Sequence, residues 1–326
     1  MKDRLLGYLK GKRGLYVIIG AVVLLAFGLF PFYVDVETSF WAYFLFLAFT
    51  YITVAQGWNL VAGYTGQISL GTHAFFGIGA FTTAILWTKD VTHTSYYFDP
   101  LLMILSGLIP VVLAIIIGIP LLSRLRGDYF ALGTLGVGQI TLVVALKAQG
   151  LTGGAMGIHL PSTVYSSMRP YYWVGMLLAV FATAVVYFIT RSRIGLALRA
   201  VREDETSAAS HGIFILKYKV FSFAVCAFLA GIAGSLYAYY LFTIQPASVF
   251  NLNWLFYPLL MCVLGGNGTI LGPVIGAFFT TTLFTFGDVY FAGYHPIASG
   301  ILIILVMKFM PGGIIGLKDR ILPAHR

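Results

Sequence analysis

The chain has 326 residues, 59% of them apolar and only 10% Asp, Glu, Lys or Arg, with a mean hydropathy of +0.91. Soluble domains run nearer to about 45–50% apolar and 25% charged, so this composition excludes an ordinary soluble protein and points to the membrane. The net charge of +9 does not indicate nucleic acid, because the bases sit at the ends of apolar runs and form no aromatic-interleaved groove.

Runs free of Asp, Glu, Lys and Arg cover 14–34, 38–88, 100–123, 129–146, 170–190, 220–287 and 289–307. About 20 apolar residues cross a bilayer as a helix, so 38–88 has length for two crossings and 220–287 for three. A membrane β-barrel would show alternating segments of about 10 residues, and none is visible. The expected fold is all-α: a polytopic transmembrane bundle of about ten spans in a single domain, 1–326. The spans fall near 14–34, 38–56, 70–88, 100–123, 129–146, 170–190, 220–243, 253–264, 270–287 and 293–311. Two five-helix halves would be related as an inverted repeat.

In chain order, the basic opening MKDRLLGYLKGKRG precedes the first run. That run is longer than a signal-peptide core and ends at Pro31-Phe32-Tyr33 without a small-residue cleavage site, so it reads as a retained helix. With the N-terminus inside, the alternating inner segments 1–13, 57–69, 124–128, 191–219, 265–269 and the tail from Lys308 hold 17 of the 20 Lys and Arg residues. The positive-inside bias therefore puts both termini in the cytoplasm.

Two of those inner junctions carry no charge: GWNLVAGYTGQISLGTHAFFGIGAF (57–81) and LGGNGTILGPVIG (264–276). Uncharged, Gly-rich backbone at membrane depth suits a packed junction or the lining of a transport pathway. The candidate pathway residues are Asn59, Gly63, Gly66, Gln67, Ser69 and His73 in the first stretch. In the second they are Gly265, Gly266 and Asn267. The alternative is close helix packing, for which Gly268, Gly272 and Gly276 recur at every fourth position.

No phosphate-binding loop, H-E-x-x-H, G-x-S-x-G or His/Cys metal cluster occurs, so neither catalytic residues nor metal ligands are expected. Cys226 and Cys262 lie inside apolar runs and imply no disulfide framework. No Asp, Glu, Lys or Arg falls deep in an expected span, which argues against self-powered proton coupling. A carrier holding Na⁺ through carbonyls and hydroxyls stays open as an alternative.

The charge is concentrated instead in 191–219, which holds nine of the chain's 31 charged residues. Ile194, Leu198 and Val201 recur there at helical spacing, followed by Glu203, Asp204 and Glu205, and Gly212 suits a helix C-terminus. An amphipathic helix on the inner face could lie on lipid, but three consecutive acids favour a protein partner over anionic headgroups.

This stretch, RSRIGLALRAVREDETSAASHGI, resembles the cytoplasmic loop of permease subunits from branched-chain amino acid ABC importers, the LivM type. So do WNLVAGYTGQISLGTHAFFGIGAF, LRGDYFALGTLG, LTGGAMGI, FLAGIAGSLYAYY, VLGGNGTILGPVIGA and MPGGIIGL, in the family's order. The resemblance implies a passive subunit of the bacterial inner membrane, working with a second LivH-like permease, two ABC ATPases that bind ATP and Mg, and a substrate-binding protein. No cofactor is then expected in this chain. It further implies that 191–219 docks on an ATPase through Arg199, Glu203, Asp204, Glu205, Ala208, Ala209 and Gly212. The sequence departs from the family at SLGTHAFF, where SLGHAAFF is frequent, so Thr72 takes the usual His place and His73 follows. A urea or short-amide permease, a self-contained secondary carrier and a membrane-embedded enzyme are the alternatives, and no catalytic pair appears for the last.

Overall fold

In lipid every backbone polar group must be hydrogen-bonded within the protein, which a helix achieves within its own segment, and the apolar runs accordingly become helices. The computed structural model describes residues 20, 22–37, 39–91, 98–125, 127–160, 167–290, 301, 304, 308 and 312–316. The longer described helices are α1 (Val22–Tyr33), α2 (Phe40–Asn59), α3 (Thr72–Thr88), α4 (Pro100–Arg124) and α5 (Asp128–Lys147). After the short α6 (Gln149–Thr152) and strand β1 (Ile158–His159) come α7 (Arg169–Arg191), α8 (Arg193–Glu203) and α9 (Glu205–Ser210). The chain continues through α10 (Ile215–Leu241), β2 (Thr243–Ile244), α11 (Pro246–Val249), α12 (Asn253–Gly265) and α13 (Gly272–Tyr290).

Six of these segments are long and apolar enough to cross a membrane: Phe40–Tyr64, Pro100–Arg124, Asp128–Lys147, Arg169–Arg191, Ile215–Leu241 and Pro246–Gly265. Val22–Tyr33 and Gly272–Thr285 are apolar but shorter, and α3 has 17 residues. The expected span at 293–311 lies almost entirely outside the described residues.

Two boundaries differ from expectation. The second helix does not stop at 56. It runs through Gly57 and Trp58 and widens into a π-helical turn, Leu60–Tyr64, where the Thr65 hydroxyl donates to the Leu60 carbonyl at 3.0 Å. The seventh begins at Ile215, before Lys217 and Lys219, so a lysine lies within its second turn.

Burial separates an inner set of helices from an outer one. In α2, 94% of the apolar window is buried, against 33% in α4 and 28% in α5 and α7. Helix α10 packs against α2, α3 and α4. It meets α3 backbone to backbone: a Cβ on Gly79 would overlap the Gly231 carbonyl oxygen, the close approach that small residues permit between membrane helices. Deeper in the same bundle the Thr83 hydroxyl joins those of Ser106 and Ser235, each at 2.7 Å, so these buried polar groups are satisfied internally. The outer helices turn Leu101, Ile104, Val112 and Ile116 of α4, and Leu177, Phe181 and Phe188 of α7, outward. An apolar surface of that extent suits contact with lipid.

The connections gather at two ends of the bundle. At one, β1 pairs antiparallel with β2, Ile158 opposite Ile244 and His159 opposite Thr243. At the other, the π-turn, the α12–α13 junction, α8 and α9 meet.

Candidate functional site

At this second end the two uncharged junctions bind each other. The Asn59 amide, on the last turn of α2, donates to the Thr269 carbonyl at 2.8 Å, and its oxygen accepts from the Gly268 N–H at 2.8 Å. One turn earlier, Gln56 donates to the Ile270 carbonyl at 2.8 Å. Side-chain amides thus satisfy backbone groups that water would otherwise have to reach. Gly63 lies under this clamp, where a Cβ would overlap Asn59 and the Gly268 nitrogen. Gly265 fits against Gly272 in the same way, with Gly266 buried beside it and Asn267 exposed at the rim.

The charged segment completes the site. Ser192 caps α8, its hydroxyl accepting from the Ile194 N–H at 3.1 Å. The expected apolar row is present, with Leu198 and Val201 buried. Arg202 reaches back from α8 to donate to the Gly63 carbonyl, and its stem lies against Gly66. Arg199 is exposed but folds back along the surface, donating to the Thr190 carbonyl at 3.2 Å and lying 5.7 Å from the centre of the Tyr64 ring.

Sequence periodicity suggests one helix here, but there are two. Asp204 is extended (φ −158°) and caps α9: its carboxylate accepts from the Thr206 hydroxyl at 2.6 Å and the Ser207 N–H at 2.7 Å. Those bonds, the Thr206 hydroxyl first, hold the Asp204 carboxyl below the usual range. Asp competes with the helix for its own backbone, which makes it a good cap and a poor interior residue. Gly212 closes α9 as expected. Its φ is +80°, its N–H donates to Ala209 at 2.9 Å, and the Ile213 N–H donates to Ala208 at 3.1 Å, which is a Schellman ending.

The three acids therefore have three different surroundings. Glu203 is exposed and Asp204 is the cap. Glu205 points inward, where its carboxylate accepts from Lys219 at 2.5 Å and from the Gln67 amide at 3.3 Å. Of the two alanines, Ala208 is buried against the bundle and Ala209 faces out. The exposed surface of α9 is thus built of Thr206, Ser207, Ala209 and Ser210, with Phe214 beside it at 73% exposure.

The other polar residues of the first junction are closed in. Asn59, Ser69 and His73 have no solvent exposure. The Trp58 indole donates to the Ser69 carbonyl at 2.9 Å, and the His73 ring presses on Gly138 of α5. Two apolar clefts, of about 520 and 460 Å³, open on the sides of the bundle, and none of the candidate pathway residues lines either. Gly63, Gly265 and Gly272 are points of close backbone approach in the two Gly-rich stretches.

Sequence reasoning missed Lys219, the bond from Arg202 to the Gly63 carbonyl and the inward turn of Glu205. Lys219 is only 2% exposed. Its signal was slight: a lysine one residue before an apolar run reads as a helix flank.

Residues 40–310 match the family described as the permease component of branched-chain amino acid transport systems. The high-affinity branched-chain amino acid transport system permease protein LivM of Salmonella typhimurium is 30% identical over 81% of this chain and 67% of its own length. A probable LivM of Methanocaldococcus jannaschii is 24% identical over 93% of this chain and 95% of its own. The high-affinity permease protein LivH of Salmonella typhimurium is 26% identical over 83% and 92%. No solved structure matches. With the family match running from α2 beyond α13, and the multi-pass helical fold and junctions lying inside it, this chain belongs to the branched-chain amino acid transport permease family.

Proposed function

We propose that this chain is a permease subunit of an ABC importer that carries branched-chain amino acids across the bacterial inner membrane. It is one domain of ten spans, arranged as two inverted halves, with both termini in the cytoplasm. Helices α1–α5, α7, α10, α12 and α13 fall on nine of the ten expected spans. It works beside a second, LivH-like permease and a substrate-binding protein outside the membrane. ATP and Mg are held by two ATPase subunits, and this chain holds neither.

The observation that carries the reading is the construction of α9. It is short, capped at both ends by Asp204 and Gly212, exposed on one side and fastened to the bundle on the other. A rigid knob of this kind suits insertion into a groove on a partner, in the helix-in-groove manner. The expected inner segments 57–69, 191–219 and 265–269 also meet at the same end. That fits the charge-derived orientation. The substrate path then runs beside the Asn59–His73 and Gly265–Asn267 junctions, which part when the motor acts.

The test is purification of the tagged chain from its host's membranes, identification of the subunits that accompany it, and leucine uptake by the reconstituted assembly. Two ATPases and a second permease should copurify, and uptake should require ATP. ATP-independent leucine uptake by the chain alone would make it a self-contained carrier. Uptake of urea in preference to leucine would move it to the short-amide permeases.

A further inference from the structure

The ion pair between Glu205 and Lys219 fastens the exposed helix α9 to the interior, beside the buried Ala208. The Lys219 Nζ lies 2.5 Å from Glu205 Oε1, with the lysine side chain 2% exposed and the glutamate 23%. Gln67, 6% exposed, donates to the same carboxylate oxygen at 3.3 Å. One carboxylate thus joins three elements: α9, the second turn of α10 and the segment between the π-turn and α3. A buried ammonium without its counter-charge is strongly unfavourable. Any displacement of α9 must then either break the pair, leaving Lys219 uncompensated, or carry the base of α10 with it. The second costs less. Helix α10 is the element packed on α2, α3 and α4, so a pull at its base reaches the centre of the bundle.

We propose that Glu205 and Lys219 are positioning residues for energy coupling: they transmit movement of α9 to α10 and to the Gln67 segment, and take no direct part in holding the ATPase. The inference rests on α9 being the docking helix. It assigns Glu205 to transmission and leaves docking to the outward surface of Thr206, Ser207, Ala209 and Ser210.

The experiment uses the whole transporter in proteoliposomes, with its binding protein and labelled leucine. Three quantities are read: ATPase subunits retained per complex, basal ATP hydrolysis, and leucine moved per ATP. The principal variant is Glu205→Gln with Lys219→Met, which removes both charges and leaves no unpaired ion to unfold the protein. It should keep its ATPases and its basal hydrolysis, while leucine moved per ATP falls about fivefold or more, the low end of typical coupling between sites. The exchanged pair, Glu205→Lys with Lys219→Glu, should recover much of that loss. A neutral variant with the wild-type ratio overturns the proposal, as does an exchanged pair no better than the neutral one. Loss of the ATPases from the neutral variant would make the pair part of docking, against the proposal. A wild-type assembly that retains no ATPase would refute the docking reading itself. An unchanged ratio in a docked assembly refutes only transmission.

Discussion

The two ends of this bundle are joined in different ways. At the end holding the β-ribbon, the main chain does much of the joining: β1 pairs with β2, and the Leu160 N–H donates to the Phe242 carbonyl at 2.6 Å. Phe98 packs nearby between two tyrosines, 4.9 Å from the Tyr171 ring and 5.0 Å from that of Tyr239. At the opposite end no strand pairing is found among the described residues. There, long side chains from one element grip the backbone or carboxylate of another: Asn59 on Gly268 and Thr269, Arg202 on Gly63, Lys219 on Glu205. Paired backbone and edge-packed or tilted rings hold a fixed geometry. Side-chain tethers keep elements connected while allowing them to shift, which is what an end that receives motion requires.

The comparison can be broken most severely at Gly265, where a Cβ would overlap the Gly272 carbonyl oxygen. Gly265→Leu should prevent the α12–α13 junction from forming, and little folded protein should survive size-exclusion chromatography in detergent. A wild-type yield would mean the junction has slack that the structure denies. Next in size, Arg202→Ala removes a tether without introducing bulk. The protein should insert and purify normally, while ATP-dependent leucine uptake falls about tenfold, within the usual range of intersite coupling. Unchanged uptake would reduce Arg202 to a solvated base.

The ribbon end should respond in the opposite sense. Gly157 has φ +75° and a Cβ there would overlap the Ile244 carbonyl oxygen. Gly157→Ala should destabilise thermal unfolding by about 1–3 kcal/mol yet leave leucine moved per ATP unchanged in the protein that remains folded. A fall in that ratio would show that the two ends are not separable. The smallest effect concerns Asp204. Its folded-state carboxyl titrates below the ordinary value of 3.8, so its contribution to α9 is complete above that value and is lost as pH falls through the lower folded one. Binding of the ATPases should therefore be insensitive to this group from neutral pH down to about 4, given an ordinary Asp value of about 3.9. A wild-type binding loss at pH 5–6 that Asp204→Asn abolishes would contradict it.

Much of this was legible from charge placement. Charge-free runs located the helices because a bilayer tolerates few ionised groups, and the concentration of charge in 191–219 marked the segment that becomes α8 and α9. Gly212 could be assigned because its left-handed role depends on local backbone alone. The rest depended on distant partners. Lys219 stands one residue before an apolar run, and nothing near it in sequence reveals that Glu205, 14 residues away, turns inward to neutralise it. The Asn59 clamp joins groups 209 and 210 residues apart, and only the fold brings them together. The uncharged junctions were readable as unusual, but packing and pathway share the same glycines, and the sequence does not separate them.

The central claim is that a motor engages the end built from side-chain tethers and not the ribbon end. Site-directed cross-linking in the assembled transporter tests it most directly, using a cysteine at Ala209, exposed on α9, and one at Met156, 78% exposed beside the ribbon. Ala209→Cys should cross-link to an ATPase subunit and Met156→Cys should not. Cross-links from Met156→Cys, with none from Ala209→Cys, would contradict the account.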